Sequence, residues 1–297
     1  MLTRRGAAAA SGRNPTARRN PGSRSMPDRS YRRLVYRPQQ IPHRYGKNIH
    51  VLSDPVLVSR VLKLSLPDTR GIEGGQLLCA IYRSLIHVVM AAEFPRTSVS
   101  VLTRMARSAP DAVWSGEVID PETRAVTIGV ARAGLLSSQV CFEEMGLLLG
   151  ERNVRQDFLM AERKVDRRGR VRGAAVSGAK VGGSYEGRIV IFPDPMGATG
   201  GSLDLGIRFV RGQPGGDGIA KIIVINLVVT PEFLRRMRDE HPDVVVYAAR
   251  LDRGRSSERA LQSLPGTRPG EEFGLNEHGY IVPGLGGLGE FLNNAEH

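Results

Sequence analysis

The chain has 297 residues, of which 41% are hydrophobic and only 5% are aromatic, so it can bury a sizeable core made mainly of aliphatic side chains. Its net charge of +12 is concentrated at the amino terminus, because residues 1–40 contain ten Arg and one acid and account for +9 of that charge. The rest of the chain is close to neutral and has no uninterrupted apolar run near the roughly 20 residues that cross a bilayer, so we expect neither a nucleic-acid partner nor a membrane partner.

Two features bear on the cellular location. Residues 1–40 are rich in Arg, Ala, Ser, Gly and Pro, so they offer too little apolar area to offset the entropy of ordering, and we predict a disordered basic leader. An organelle transit peptide and a translation start at Met26 are the alternatives for this segment. The two cysteines, Cys79 and Cys141, lie in apolar helical stretches and are too few for a metal site of the CxxC type. We therefore predict reduced thiols and a cytoplasmic protein.

Residues 41–297 are predicted to form one domain in which helices and strands alternate. A first helix can be capped by Asp68 or Thr69 and ends before Pro95. Further on, the predicted strands are residues 125–130, 188–192, 221–229 and 244–251, and the predicted helices are residues 135–149, 203–211 and 231–239. Continuous aliphatic strands separated by helices indicate a parallel sheet covered on both faces, so the predicted fold class is α/β.

Two polar segments interrupt this alternation. Residues 162–185 begin with a cluster of Arg and Lys and continue with Gly and Ser, which predicts a long loop or hairpin, and such loops in compact domains are often functional. Residues 253–273 contain two Pro-Gly pairs, which predicts an inserted surface loop.

The strongest local signal follows the strand at residues 188–192, where residues 194–202 read DPMGATGGS. The glycines let backbone N–H groups converge, the hydroxyls add donors, and the start of the next helix adds partial positive charge, so this turn predicts a monophosphate site. Asp194, at the strand end, could accept hydrogen bonds from ribose hydroxyls beside that phosphate. A tight turn without a ligand is the alternative. The P-loop pattern of nucleoside-triphosphate sites is absent.

A second signal follows the last strand, where residues 274–286 read GLNEHGYIVPGLG. Ligands bind outside the carboxyl ends of strands in open α/β sheets, so this segment is a candidate for a second part of the site. Gly284, Gly286 and Gly289 also form the dinucleotide pattern GxGxxG, but only eight residues follow Gly289. We reject a dinucleotide site, because eight residues cannot supply the helix, second strand and ribose-binding acid that it needs.

These two segments together resemble the uracil phosphoribosyltransferase family. The similarity also includes residues 132–134 (RAG) after a strand and residues 241–244 (HPDV) before one, and it covers roughly residues 49–291. The resemblance implies the type I phosphoribosyltransferase fold, in which a parallel β-sheet is flanked by helices and carries a C-terminal hood. It also implies an enzyme of pyrimidine salvage that converts uracil and phosphoribosyl pyrophosphate (PRPP) to uridine monophosphate (UMP) and pyrophosphate.

The resemblance implies a role for each motif residue. The expected catalytic residues are Asp194, which would bind ribose hydroxyls, and Arg132, whose guanidinium suits bidentate contact with pyrophosphate. The expected PRPP-binding residues are Arg132, Arg163, Asp194, Pro195, Met196, Gly197, Ala198, Thr199, Gly200, Gly201 and Ser202. The expected uracil-binding residues, which act mainly through the main chain, are Tyr280, Ile281, Gly286, Gly287 and Leu288.

The implied reaction is displacement at ribose C1, in which uracil N1 attacks as pyrophosphate leaves. Mg²⁺ is expected to arrive bound to PRPP, and no residue of the chain is nominated as a metal ligand. GTP activates some relatives, and members of the family commonly form homo-oligomers, so a GTP effector and a homo-oligomer are both expectations. His278 is interpreted as a hydrogen-bonded structural residue rather than as a general base.

Three departures from the family pattern support alternative functions. Gly287 stands where the family usually has Asp, residues 160–163 match the mobile-loop pattern only approximately, and residues 253–273 are inserted before the hood. The first alternative is a binding or regulatory protein that keeps the phosphoribosyl pocket without turnover. The second is a phosphoribosyltransferase for another base.

Overall fold

The computed structural model of the chain describes residues 28–69, 71–165 and 171–293. Most of the predicted leader, residues 1–27, lies outside them. The described helices are α1 (Pro55–Leu64), α2 (Gly71–Glu93), α3 (Gly134–Leu149), α4 (Gly201–Arg211), α5 (Pro231–Glu240), α6 (Glu258–Leu261) and α7 (Leu288–Asn293). The described strands are β1 (Ile49–Val51), β2 (Arg96–Leu102), β3 (Val113–Ile119), β4 (Ala125–Ala131), β5 (Val154–Val165), β6 (Val171–Lys180), β7 (Ile189–Pro193), β8 (Met196–Gly197), β9 (Lys221–Val229) and β10 (Val245–Leu251).

The chain divides into two compact units, and the described part of the smaller one combines residues 28–35 with Arg96–Val118. In this unit β2 pairs with β3, the rings of Tyr31 and Trp114 lie 6.0 Å apart, and the amide of Leu34 donates to the Glu117 carboxylate at 2.8 Å. The sequence did not predict this unit. These contacts involve the last part of the predicted leader, whereas residues 1–27 lie outside the described residues and their disorder stays a prediction.

The larger unit contains a sheet whose strand order is β1-β10-β9-β7-β4-β5-β6, with β8 added beside β9. Its strand pairs are parallel except the β5–β6 hairpin. One hydrophobic cluster includes buried residues of α1, α2 and α3, and a second includes those of α4 and α5. Along β9, Ile223 and Ile225 belong to the first cluster, whereas Ile222 and Val224 belong to the second. Both faces of the sheet are therefore covered, as the continuous aliphatic runs predicted.

Helix α2 has 23 residues, and among the described residues it is the one helix long and apolar enough to cross a membrane by length and composition. The sequence predicted this helix but no membrane span, because Arg83, Ser84 and His87 interrupt its apolar runs. Its buried residues, such as Ile81 and Leu85, belong to the first hydrophobic cluster. That packing is typical of the core helix of a globular domain.

The described parts of the two interrupting segments contain regular secondary structure. Residues 162–185 include parts of both strands of the β5–β6 hairpin, which confirms the hairpin alternative. The segment 253–273 contains α6 and a fully buried Glu272, whose carboxylate accepts hydrogen bonds from the Tyr45 hydroxyl (3.0 Å), the Gly266 amide (2.8 Å) and Arg253 (2.7 Å). An uncompensated charge at this depth would be costly, so the three donors must stay in place around Glu272. The predicted surface loop is thus anchored to the domain by this buried carboxylate.

Candidate active site

The candidate site lies at the carboxyl ends of the parallel strands β4 and β7. Arg132 follows β4 and Asp194 follows β7. The Ser137 hydroxyl donates to the carbonyl of Pro193 at 2.6 Å, and a Cβ on Gly134 would lie 3.5 Å from the same oxygen. The turn after β4 and the end of β7 are therefore in direct contact, as the parallel topology predicts.

Asp194 is a half-buried carboxylate at the end of β7. Burial raises its pKa to about 6, and the Met196 amide, 3.4 Å away, opposes this shift only weakly. Its main-chain carbonyl accepts a hydrogen bond of 2.6 Å from the side-chain amide of Asn226. Among the described residues no basic side chain pairs with the carboxylate. It is thus available to accept hydrogen bonds from ribose hydroxyls or to face a divalent cation.

Residues 199–202 form a backbone cradle at the start of α4. Gly200 has φ +79°, which lets the chain reverse before the Asp204 amide bonds to the Gly200 carbonyl. No acceptor in the described chain pairs with the amides of Thr199, Gly200 or Ser202, and the Gly201 amide meets only the Thr199 hydroxyl at 3.4 Å. Unpaired N–H groups at the start of a helix favour an anion, so this cradle is a candidate phosphate site.

Residues 195–197 hold this cradle on the sheet. The Pro195 carbonyl accepts from the amides of Leu227 (3.1 Å) and Val228 (3.2 Å), and the Gly197 carbonyl accepts from Thr230 (3.0 Å). Strand β8 pairs with β9, and a Cβ on Gly197 would lie 2.8 Å from Val229. Of the residues predicted to bind PRPP, Met196 and Gly197 therefore form β8, Pro195 is bonded to β9 from the preceding bend, and the unpaired donors begin at Thr199.

Arg236 is a neighbour of the cradle that the sequence analysis missed. Its guanidinium donates to the Thr199 carbonyl at 3.0 Å and to the Glu240 carboxylate at 3.1 Å. It lies on α5, within a run of basic residues that resembles a solvated helix face, so the linear sequence held no signal for it.

Arg132 is exposed, and its guanidinium donates to the carboxylate of Glu290 at 2.8 Å. Glu290 lies in the first turn of α7, and a Cβ on the preceding Gly289 would lie 3.6 Å from the Ala133 amide. The C-terminal segment therefore meets the turn that carries Arg132. Sequence reasoning missed Glu290, although an acid three residues after Gly287 was visible. Arg163 lies on the hairpin, where its main chain pairs with Ala174.

The predicted uracil segment forms a tight antiparallel turn. Leu275 and Ile281 form a β-bridge, and the Asn276 amide donates to the Tyr280 carbonyl at 2.9 Å. Tyr280 is 46% exposed at the tip, whereas Ile281 and Leu288 are buried. Gly286 is exposed and Gly287 is half-buried, but the Gly287 carbonyl already accepts from the Phe291 amide at 3.0 Å, so Gly287 offers only its amide. The His278 side chain is exposed, 3.8 Å from Glu277, which differs from the hydrogen-bonded structural role predicted for it.

A metal ion has one candidate cluster among the described side chains, formed by Asp204, Glu240 and His241. Arg208 donates to Asp204 at 2.5 Å and to Glu240 at 3.2 Å, and the imidazole of His241 lies 2.9 Å from the Asp204 carboxylate. These carboxylates are already neutralised by arginine. The unpaired Asp194 carboxylate fits an approaching Mg²⁺ better, because oxygen donors without a cationic partner suit this ion.

Comparison with known proteins places the chain among phosphoribosyltransferases. The family model for uracil phosphoribosyltransferase matches residues 76–267. The uracil phosphoribosyltransferase of Campylobacter fetus subsp. fetus is 37% identical over 117 residues, which are 39% of this chain and 44% of that protein. The one from Dictyoglomus thermophilum is 28% identical over 247 residues, which are 82% of this chain and 97% of that protein. The chain thus spans less than half the length of the first relative and nearly all of the second.

Solved structures support the same fold. The AQ2163 protein of Aquifex aeolicus superposes with a TM-score of 0.61 at 21% identity, over 82% of this chain and 97% of that protein. At this identity the similarity concerns the fold alone. Together with the family match, it confirms both the α/β architecture and the type I phosphoribosyltransferase fold expected from the motifs.

Proposed function

Because the chain belongs to the uracil phosphoribosyltransferase family, we propose that it transfers the phosphoribosyl group of PRPP to N1 of uracil, yielding UMP and pyrophosphate. The observation that carries this proposal is the cradle at residues 199–202, whose unpaired amides suit the 5′-phosphate. A cradle of this kind beside the Asp194 carboxylate suits a sugar phosphate.

The residues of the chain would act mainly by positioning and by charge stabilisation. The cradle holds the 5′-phosphate, and Asp194 accepts hydrogen bonds from the ribose hydroxyls, so ribose C1 is fixed in place. Arg132 stabilises the negative charge that develops on the leaving pyrophosphate. Main-chain groups at Ile281 and at residues 286–288 are proposed to pair with the carbonyl and N–H edge of uracil. Mg²⁺ bound with PRPP supplies further neutralisation of the pyrophosphate when it is present.

The proposal extends to partners and location. Free thiols at Cys79 and Cys141 and the match to a uracil-utilising family support pyrimidine salvage in the cytoplasm. A homo-oligomer and a GTP effector follow from the family resemblance and are proposed on that ground alone.

Turnover is tested by incubating the protein with labelled uracil, PRPP and Mg²⁺ and detecting labelled UMP and released pyrophosphate. Omitting PRPP is the control. UMP binding by calorimetry without pyrophosphate release would favour the alternative of a binding protein, which the loss of the acid at Gly287 motivates. Product formed from a different base in a panel of pyrimidines and purines would instead identify a phosphoribosyltransferase for that base.

Replacing Glu290 with Gln is expected to lower the KM for PRPP by up to about fivefold. The Glu290 carboxylate occupies the Arg132 guanidinium, so it competes with the incoming pyrophosphate. Exposed ion pairs contribute roughly 0.2–1 kcal/mol, which corresponds to a factor of up to about five. Steady-state kinetics with varied PRPP measures the effect, and Glu277→Gln is the exposed control. An unchanged or higher KM in the Glu290 variant would contradict this competition.

A further inference from the structure

A buried ion pair between Arg250 and Asp252 joins the last strand of the sheet to the segment 274–288, which we call the hood. Arg250 donates to the two carboxylate oxygens of Asp252 at 2.7 and 2.8 Å. The exposed fractions of the two side chains are 17% and 2%. Two parallel charge-assisted hydrogen bonds fix both side chains in one orientation.

This pair holds both polar main-chain groups of Gly284. The Gly284 amide donates to the Asp252 carboxylate at 2.8 Å, and the Gly284 carbonyl accepts from Arg250 at 3.2 Å. Gly284 has φ +65°, and a Cβ there would lie 2.2 Å from the Ile281 carbonyl. The turn from Ile281 to Gly284 is therefore fixed by the ion pair on one side and by close packing on the other.

In the sequence, the pair lies at the start of the inserted segment, on the opposite side of that segment from the hood. Asp252 is the last residue before the insertion 253–273, and Arg250 contacts Ser65 at 3.2 Å near the end of α1. At the other end of the insertion, the Glu232 carboxylate accepts from the amides of Gly274 (3.0 Å) and Leu275 (3.3 Å). The hood is thus bonded to α5 at its first two residues and to the end of the last strand at Gly284.

We propose that Arg250 and Asp252 are positioning residues for base recognition, which act by fixing the main chain of the hood. The proposal rests on the proposed function, in which hood main-chain groups recognise uracil. A rigid Gly284 sets the direction of the groups at Ile281 and at residues 286–288. A more mobile Gly284 weakens the binding of the base. The phosphate cradle at residues 199–202 belongs to a different loop, so the binding of the phosphate is unaffected.

The chain contains a matched control for this ion pair. Arg155 and Asp157 have the same spacing and a bidentate geometry, with Nε and Nη2 each 2.9 Å from the carboxylate. Asp157 also accepts from a loop amide, that of Gly182 at 2.9 Å, and Arg155 also donates to a loop carbonyl, that of Ser184 at 3.1 Å. The exposed fractions, 16% and 0%, are similar. This second pair lies near the start of β5 and contacts no hood residue.

The test compares Arg250→Met with Arg155→Met. We expect Arg250→Met to raise the KM for uracil by tenfold or more while the KM for PRPP changes less than threefold. Arg155→Met is expected to lower Tm as much as Arg250→Met does, because both variants break a bidentate ion pair. It is expected to leave the KM values for uracil and PRPP within threefold of those of the unaltered protein. Lysine variants at the two positions are the milder pair, to be used where a methionine variant does not fold, and Arg250→Lys should raise the KM for uracil less.

Equilibrium binding separates this proposal from the proposed function. The ratio of the affinities for UMP and ribose 5-phosphate, measured by calorimetry, reports the contribution of the base without turnover, and Arg250→Met should reduce that ratio at least fivefold. Absence of turnover in the unaltered protein would overturn the proposed function but leave this ratio as the test. The inference is overturned by a ratio of one in the unaltered protein, by an unchanged ratio in the Arg250 variant, or by an equal loss in the Arg155 variant.

Discussion

Asp194→Asn is expected to reduce turnover at least about 100-fold while leaving the fold intact. The carboxylate stands unpaired at the end of β7 and is placed to accept hydrogen bonds from ribose hydroxyls, and an amide accepts such bonds less strongly than a charged oxygen. The cradle amides are unaffected, so binding of ribose 5-phosphate should weaken much less than turnover. Steady-state kinetics and calorimetry measure the two quantities. Unchanged turnover would remove Asp194 from the mechanism.

The same substitution is expected to stabilise the free protein at neutral pH. The pKa of Asp194 is about 6 in the folded protein and 3.8 in the reference state, so the folded form binds the proton more tightly. The unfolding free energy therefore falls as pH rises from about 4 to 6, and the variant lacks this loss. At pH 7.5 the unfolding free energy of the variant is expected to exceed that of the unaltered protein by about 1–3 kcal/mol, since one pKa unit corresponds to about 1.4 kcal/mol.

Thermal unfolding between pH 4 and pH 8 measures this gain. Asp204→Asn is the control of opposite sign. Burial tends to raise the pKa of Asp204, but the hydrogen bonds from Arg208 and His241 outweigh it and lower the pKa. Stability from Asp204 is thus present above the unfolded pKa and is lost as pH falls, so this variant should be destabilised at pH 7.5. Equal Tm shifts in the two variants would show that burial does not raise the pKa of Asp194.

Gly200→Ala is expected to raise the KM for PRPP tenfold or more. An alanine must adopt φ +79° at this position, and its Cβ would lie 3.0 Å from the Arg236 side chain and 3.3 Å from Phe233. Relief of this strain requires the cradle to shift, which weakens hydrogen bonds to a charged phosphate that contribute roughly 1.5–3 kcal/mol each. Kinetics with varied PRPP and calorimetry with ribose 5-phosphate both report the loss.

Gly146→Ala is the matched control for the cradle variant. Gly146 lies inside α3, and nothing lies within 4 Å of a Cβ placed there. Alanine favours a helix over glycine by roughly 0.5–1 kcal/mol, so this variant should gain stability with unchanged kinetics. If Gly200→Ala binds ribose 5-phosphate as tightly as the unaltered protein, the cradle is not the phosphate site.

The sequence predicted the sheet and the cradle because both depend on local patterns. The aliphatic run of β9 was predicted at residues 221–229, where the structure has it, since continuous burial on both faces leaves a continuous apolar signal. The glycine-rich turn after β7 was predicted because its glycines, hydroxyls and the following helix are adjacent in the sequence, and in the structure Gly200 has the positive φ that such a turn needs.

The contacts that the sequence did not predict join residues far apart in the chain. Arg132 and Glu290 are 158 residues apart, and their pairing depends on how α7 meets the turn after β4. The contact between Tyr31 and Trp114 likewise depends on a unit assembled from two distant segments. No periodicity or spacing encodes such pairs, so they emerge only from tertiary structure. Arg250 and Asp252 are neighbours in sequence, but their role depends on Gly284, whose position was unknown.

The buried Glu272 has a consequence for the order in which the domain can form. Its hydroxyl partner, Tyr45, precedes it by 227 residues, so the insertion reaches its final state only after these two distant segments have come together. Burial of the Glu272 carboxylate before that contact forms would cost more free energy, because one of its three donors would be missing. The packing of the inserted segment therefore depends on the prior placement of Tyr45. A nascent chain lacking Tyr45 would leave that carboxylate short of a donor at the moment it is withdrawn from water.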